Sequence, residues 1–278
     1  MFRAHLRLLA AFLVLGIVAA SVVGMVYAWQ NYLEPSFQAR REILTLEKDP
    51  PKRIDVGKRE FAQAMEKMRR GEVAAAHKQL SKLVKTYADS SAYSKSRQIL
   101  GEVNMDRLLS NMRTPGKKDY KVKSGDSLNK IAAQEKTTVD YIIQVNDLQG
   151  IMLQKGDQMI VCELQFSLNV SLSGGTVTLL RKGKFFKEYT IRLVRGVRPA
   201  DTKIESRAAF ANDRPVSLGK VGYVGSEKWL SCGKGVTFRS YSIANRDDED
   251  LPGIFLDEAD MEELYTLLRY GTPVRVRK

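Results

Sequence analysis

The stretch from Tyr120 to Cys162 constrains the fold most, because its hydrophobic pattern passes from a strand period to a helical period and back. It opens on an alternating run at Tyr120 and Val122, continues through two short helical patterns, and closes on a second alternating run at Met159 and Val161. A period of two is typical of a strand, whereas a spacing of three and four is typical of a helix. The stretch therefore predicts a small β-α-α-β unit.

The turns and caps in this stretch agree with that unit. Gly125 and Gly156 stand where the chain must turn sharply, and either Asp126 or Ser127 is expected to cap the first helix. The second helix is expected near residues 138–145, with its apolar side chains in the same small core as those of the first.

Residues along the stretch that form a recognisable pattern are Tyr120, Val122, Gly125, Asp126, Leu128, Ile131, Ala132, Asn146, Leu153, Gly156, Asp157, Ile160 and Val161. With them the stretch resembles a LysM domain, a module that binds N-acetylglucosamine-containing glycans such as peptidoglycan. Cys162 stands where the family often has proline. That Gly125 and Leu128 serve only the turn and the core stays an alternative. The resemblance implies a sugar groove between two loops, formed here by Gly125, Asp126, Ser127, Leu128, Gly150, Ile151 and Met152.

Composition narrows the class of partner. The chain has 278 residues, of which 44% are apolar, which excludes wholesale disorder and leaves room for two or three domains. Its net charge of +13 is spread along the chain, and basic runs such as Arg69-Arg70 are too short for a nucleic-acid footprint. We therefore expect no nucleic-acid partner, and a basic surface that faces an anionic membrane or wall polymer.

Cysteine and histidine are both scarce. Cys162 and Cys232 are the only cysteines and form no metal-ligand pattern, so neither a metal nor another cofactor is expected. Buried free thiols are the first expectation, and a disulfide between the two in an oxidising compartment is the alternative. The only histidines are His5 and His77, and His77 is expected on an exposed helix face among lysines.

The N-terminus carries a membrane signal. Residues 8–29 are uncharged and would span about 33 Å as a helix, enough to cross a bilayer. Arg3 and Arg7 would hold the N-terminus in the cytoplasm, so we expect a single-pass inner-membrane protein with its later domains in the periplasm or facing the wall. A cleaved signal peptide and a buried core helix are the alternatives.

A helical region follows a proline-containing spacer. Gly71 at a turn, Ala76 at a helix crossing and Tyr87 near a helix end make part of it resemble a tetratricopeptide unit. A lone unit of this kind cannot bury its faces, so it needs a third helix or a partner chain, and wall enzymes are candidate partners.

Beyond Cys162 the pattern becomes strand-like. Alternating apolar residues separated by glycine turns predict two successive hairpins up to Val194. One late helix is expected from Asp257 to Tyr270, capped by Asp257, and a final strand follows Gly271.

This region resembles the catalytic domain of L,D-transpeptidases, which are cysteine enzymes that cross-link peptidoglycan stem peptides. The Gly183 turn, the run Lys228-Trp229-Leu230 and the segment GIFLDEADMEELYTLLRYGTPVRV from Gly253 carry the resemblance. It places Gly253 where the family has its nucleophilic cysteine and Arg239 where it has a histidine.

The chemistry of acyl transfer also argues against a catalytic role for this region. Acyl transfer by cysteine needs a thiolate and a base that exchanges protons near neutral pH, yet no histidine follows His77 and an arginine does not deprotonate. Cys232 is the fallback nucleophile, with Arg239 or Lys234 to lower its pKa. The acidic run at 247–250 lacks calcium-loop spacing and is expected to be a solvated loop.

Together these patterns predict a multidomain α+β protein with a mainly-β C-terminal domain. We expect a bacterial, membrane-anchored, peptidoglycan-binding protein that tethers or scaffolds the wall without catalysis; an active L,D-transpeptidase using Cys232 is the alternative. The predicted parts are a transmembrane signal anchor (1–29), a spacer (30–56), tetratricopeptide-like helices (57–112), a linker (113–119), a LysM module (120–163) and an L,D-transpeptidase-like domain (164–278).

Overall fold

The computed structural model describes residues 20–29, 34, 40, 54–212, 214–241 and 251–278. The chain divides into two units, Met1–Ile54 and Asp55–Lys278. In the described part of the first unit, residues 20–28 are α-helical. None of the described helices is long and apolar enough to cross a membrane. Most of the predicted span at 8–29 and almost all of the spacer lie outside the described residues, so the anchor stays a prediction.

The second unit begins with three helices: α1 (Val56–Arg69), α2 (Val73–Thr86) and α3 (Tyr93–Leu109). The Asp55 carboxylate caps α1 by accepting from the backbone N–H of Lys58 at 2.9 Å. The helices pack together through a small apolar cluster that includes Ala64, Leu80 and Leu100.

The third helix changes the setting of His77. This residue is half-buried, and its Nε2 lies 2.7 Å from the Asn104 Oδ1 on α3, so the prediction of an exposed histidine was wrong. The Asn104 amide also donates to the carbonyl of Phe186 in the following β domain. The third helix therefore covers the face of α2 that carries His77, which the sequence pattern predicts to be exposed.

The next segment has the predicted β-α-α-β order: β1 (Lys117–Lys121), α4 (Leu128–Gln134), α5 (Val139–Val145) and β2 (Gln158–Cys162). The two strands pair antiparallel. Ser127, and not Asp126, caps α4 by accepting from the N–H of Lys130 at 3.3 Å. The core of this segment consists of Tyr120, Val122, Leu128, Ile131, Ala132, Ile142, Met159 and Val161.

The described part of the C-terminal region contains a nine-stranded sheet. Its strands are β3 (Phe166–Ser171), β4 (Thr176–Arg181), β5 (Lys184–Arg195), β6 (Ala200–Ala211), β7 (Arg214–Pro215), β8 (Glu227–Cys232), β9 (Thr237–Ser240), β10 (Gly253–Leu256) and β11 (Pro273–Arg277). They lie in the order β11-β3-β4-β5-β10-β9-β8-β6-β7, and a further pairing of β11 with β6 closes every strand except β7 into a barrel. The predicted hairpins are confirmed as β3, β4 and β5.

The late helix α6 (Glu258–Leu267) is shorter than predicted, because Leu268 is extended. Asp257 occupies the N-cap position but makes no side-chain cap. Its carboxylate instead accepts two hydrogen bonds from Arg192, at 2.8 and 2.6 Å, because the neighbouring strand β5 brings a guanidinium within reach. The predicted cap by Asp257 was therefore wrong.

The largest apolar cluster joins α3, α5 and the barrel. Met105 and Leu108 of α3, Tyr141 and Val145 of α5, and the barrel interior belong to it. The Tyr141 hydroxyl donates to the carbonyl of Leu108 at 3.2 Å. This cluster therefore crosses the positions near residues 113 and 164 where the sequence predicts domain boundaries, whereas the helices α1 and α2 and the β-α-α-β segment also keep small cores of their own.

Candidate functional site

The first loop of the predicted groove presents some residues outward and turns others inward. Gly125 is exposed and has a φ of +78°, which favours glycine. The Asp126 carboxylate faces inward and accepts from the N–H of Lys123 at 2.8 Å and from the Tyr120 hydroxyl at 2.9 Å. These hydrogen bonds, that of Lys123 foremost, hold the pKa of Asp126 below its usual range. Asp126 therefore shapes the loop from inside.

Leu128 and Ser127 have local roles in this loop. Leu128 is 4% exposed and belongs to the core, whereas Ser127 is exposed and caps α4. The second loop is open to solvent: Gly150 is exposed, and Ile151 and Met152 are 49% and 92% exposed. Two large apolar side chains held in water in this way are candidates for ligand contact.

The two loops meet at a cavity of about 590 Å³, whose lining includes Ser127, Leu128 and Ile151. Gly125, Asp126, Gly150 and Met152 are not among its lining residues. The opposite side comes from the barrel, through β6, β7 and the loop after it, α6 and the turn before β11. The barrel residues missed by sequence reasoning include Arg207, Val216, Leu218, Tyr223, Tyr265 and Tyr270.

A partly buried polar cluster fixes the β-α-α-β segment against the barrel. The Asp140 carboxylate on α5 lies 2.9 Å from the Arg207 Nη2 on β6, and the two side chains are 12% and 13% exposed. The Tyr223 hydroxyl donates to the same carboxylate. Arg207 also donates to the carbonyl of Tyr265 at 2.6 Å and lies over that residue's ring, with Cζ 4.2 Å from the centroid. Burial, followed by the charge of Asp140, raises the pKa of Tyr223, so its hydroxyl stays a donor at neutral pH.

Within the loop between β7 and β8, residues 217–226 form three linked turns and are called the turn loop below. Lys220, Tyr223 and Ser226 each donate a backbone N–H to the carbonyl three residues earlier. The glycine before each of these donors, at 219, 222 and 225, has a φ between +73° and +85°. That value at the third turn position is typical of type II turns. A repeated apolar-glycine pair, at 218–219, 221–222 and 224–225, is the sequence signal that could have found this turn loop.

The structure brings Arg239 and Gly253 together, on the adjacent parallel strands β9 and β10. The Arg239 Nε donates to the carbonyl of Pro252 at 3.2 Å, and its guanidinium lies 3.7 Å from the ring centroid of Trp229. A Cβ added at Gly253 would lie 3.4 Å from the Arg239 Cδ and 3.0 Å from the Thr237 carbonyl oxygen. These two positions thus share one site that contains neither a thiol nor an imidazole.

Cys232 lies on the other face of the sheet. Trp229 pairs with Arg239 across β8 and β9, so Cys232, three residues along β8, projects to the opposite side because side chains alternate along a strand. Cys232 is 7% exposed and belongs to the core. Burial, with a further contribution from Glu205, raises the pKa of Cys232 to about 12. A nucleophilic cysteine needs the opposite shift.

Both cysteines are free and buried. Cys162 accepts a hydrogen bond at Sγ from Arg181 at 2.9 Å. The acidic run at 247–250 lies outside the described residues. Within the described ranges, no group of three or more His, Cys, Asp or Glu side chains is placed to hold a metal ion.

Comparison with known proteins identifies one part of the chain. Residues 120–161 match the LysM domain family, so this segment is a LysM domain. No curated protein matches the chain.

Several structural neighbours of the chain are L,D-transpeptidases. One from Stackebrandtia nassauensis is 18% identical over 41% of this chain and 56% of its own, with a TM-score of 0.32. L,D-transpeptidase 1 of Mycobacterium tuberculosis is 15% identical over 40% of this chain and 61% of its own, with a TM-score of 0.30. The Enterococcus faecium enzyme is 16% identical over 41% and 50%, with a TM-score of 0.29. The chain covers about half to three-fifths of the length of these proteins.

Proposed function

We propose that this chain binds the glycan strands of peptidoglycan through its LysM domain and tethers or scaffolds the cell wall. The observation that carries this proposal is the open pair of LysM loops, with Ile151 exposed to solvent and lining a cavity together with Ser127. A small number of polar groups beside apolar surface is the usual composition of a ligand cleft.

The C-terminal barrel is proposed to turn over no substrate. Two observations support this: Gly253 and Arg239 supply neither nucleophile nor base, and the Cys232 thiol is protonated and faces the core. The rival function is an L,D-transpeptidase that uses Cys232. A rearrangement that moves a buried thiol across a β-sheet would be required for it.

Residues 8–29 are proposed to anchor the protein in the inner membrane, with the LysM domain and barrel in the periplasm. The uncharged span behind Arg3 and Arg7 supports this placement. The helices α1 and α2 are proposed to offer a docking surface to wall enzymes. After a high-salt wash the full chain should stay in the membrane pellet; a product that begins near Trp29 would contradict the anchor.

Glycan binding is tested with the full chain and purified sacculi. Ile151→Asp places a charge in the cavity and should reduce the bound fraction at least about fivefold, because the ligand face would stay hydrated. The control is Met112→Asp, which places the same charge on an exposed apolar side chain outside the two LysM loops (66% exposed, against 49% for Ile151). Equal binding by the parent and Ile151→Asp would contradict the proposed site.

Catalytic inactivity is tested with tetrapeptide donor and acceptor muropeptides, followed by mass spectrometry. No cross-linked or exchanged product is expected. A product that disappears in Cys232→Ala would overturn the proposal and establish the enzyme.

A further inference from the structure

The cavity beside the LysM loops has a second wall, and this wall belongs to the barrel. Its volume of about 590 Å³ lies within the range of about 300–1,000 Å³ that is common for ligand clefts. A second cavity, of about 280 Å³, continues it toward the end of α4. The two cavities share Asn129 and Val139 from the LysM domain and Arg207 and Tyr270 from the barrel. Together they form an elongated groove between the two parts.

Tyr270 stands at the junction of these cavities. It lies in the turn between α6 and β11, and 65% of its surface is exposed. An aromatic ring with a hydroxyl at its tip offers both an apolar face and a hydrogen-bonding group. A pyranose ring presents the complementary surfaces, since its C–H groups form apolar faces and its hydroxyls line the edge.

The turn loop continues the same wall and directly contacts the second LysM loop, residues 150–152. A Cβ added at Gly219 would lie 3.2 Å from the Cδ1 of Ile151, so the bare glycine backbone lets the two loops meet. Leu218 lines the cavity next to this contact. The glycan-facing side chain of the LysM domain is therefore supported from the barrel side.

The two walls are held at a fixed separation. The Asp140–Arg207 ion pair and the hydrogen bond from Tyr223 join α5 to β6 and to the turn loop. The hydroxyl of Thr138, at the start of α5, donates to the carbonyl of Thr266 on α6. A groove whose walls are already in place binds with less loss of conformational entropy than one that must assemble.

We propose that the glycan is held between the LysM domain and the barrel, with Tyr270 and the turn loop as its second binding wall. This inference rests on the proposed glycan-binding function. It extends the ligand contact beyond residues 120–161 and gives the C-terminal barrel a part in recognition of the sugar chain.

The test measures binding of chitin oligomers to the full chain by calorimetry. Tyr270→Ala should weaken binding of long oligomers about fivefold, a typical effect of losing one aromatic contact, and should change the binding of the shortest oligomers less. The matched control is Met112→Ala, which removes an apolar side chain of nearly the same exposure, 66% against 65%. Hydrogen exchange on the unchanged protein should show added protection at residues 217–226 when a long oligomer binds.

The outcomes separate this inference from the proposed function. If the parent chain binds no oligomer and no sacculi, both fail. The LysM function stands if the parent chain binds and Ile151→Asp does not. In that case, the second wall is refuted if Tyr270→Ala binds as the parent does and residues 217–226 gain no protection from hydrogen exchange.

Discussion

The ion pair between Asp140 and Arg207 is the most direct test of how the LysM domain is attached. Asp140→Ala leaves the guanidinium of Arg207, 13% exposed, without its carboxylate. It also leaves the Tyr223 hydroxyl without its acceptor. The hydrogen bond from Thr138 to the carbonyl of Thr266 and the shared apolar core remain, because the substitution does not touch them.

The expected loss in the free energy of unfolding follows from how deeply the ion pair is buried. Breaking a fully buried ion pair costs about 3–5 kcal/mol, and a buried donor left unsatisfied costs about 1–3 kcal/mol. Both members of this pair keep some exposure, and Arg207 keeps its hydrogen bond to the carbonyl of Tyr265. We therefore expect Asp140→Ala to lower the free energy of unfolding by about 2–3 kcal/mol, and Asp140→Asn by less, because the amide oxygen still accepts.

Urea unfolding of the full chain, followed by tryptophan fluorescence to which Trp229 of the barrel contributes, measures this loss. The control is Asp119→Ala, which breaks an exposed pair with Arg113 (side chains 61% and 56% exposed) and should cost less than about 1 kcal/mol. A double-mutant cycle of Asp140→Ala with Arg207→Ala should give a coupling of about 1–3 kcal/mol. The reasoning is refuted if Asp140→Ala costs no more than Asp119→Ala, or if the cycle shows no coupling.

Three further predictions follow from single sites. Cys232 should resist iodoacetamide at pH 8 until the protein is unfolded, because burial raises its pKa to about 12; rapid labelling of the native chain would contradict its place in the core. Burial raises the pKa of Asp260 to about 6, so the neutral form is favoured on folding and this group's contribution to stability is lost as pH rises through about 6. Asp260→Asn should therefore stabilise the protein by about 1 kcal/mol at pH 7.5, a figure reduced for solvent screening, and by almost nothing at pH 4. Thermal unfolding at the two pH values measures this difference, and an equal effect at both would contradict the pKa shift. Gly101→Val should lower the free energy of unfolding in urea by about 1–3 kcal/mol, because a Cβ at residue 101 would lie 3.0 Å from the Lys187 Cγ and 3.4 Å from the Lys187 Cα. An unchanged unfolding midpoint would contradict this tight packing of α3 on the barrel.

Local patterns in the sequence were sufficient for the LysM segment and for the first three barrel strands. Gly125 marks the turn, Ser127 was one of two candidates for the cap of α4, and alternating residues mark β3 to β5. These features depend on neighbours a few residues apart, so their periods can be read directly. The resemblance to L,D-transpeptidases is what assigned Arg239 and Gly253 to one site. The parallel pairing of β9 with β10 brings these two residues close together.

Other features depend on groups far apart along the chain. The half-buried setting of His77 depends on its contact with Asn104. The carboxylate of Asp257 accepts hydrogen bonds from Arg192, and not from the helix end, because β5 lies beside it. Nothing near Asp140 in the sequence indicates Arg207 as its partner.

The LysM unit, the hairpins of the barrel and the absence of histidine after His77 can all be read from the amino-acid sequence. That Cys232 faces the core, and that Tyr270 lines the same cavity as Ile151, becomes visible in the folded chain. Periodicity along the chain specifies which residues share a face of one helix or strand. Which face meets which partner is decided by closure of the barrel through β11 and β6 and by the contacts that this closure creates.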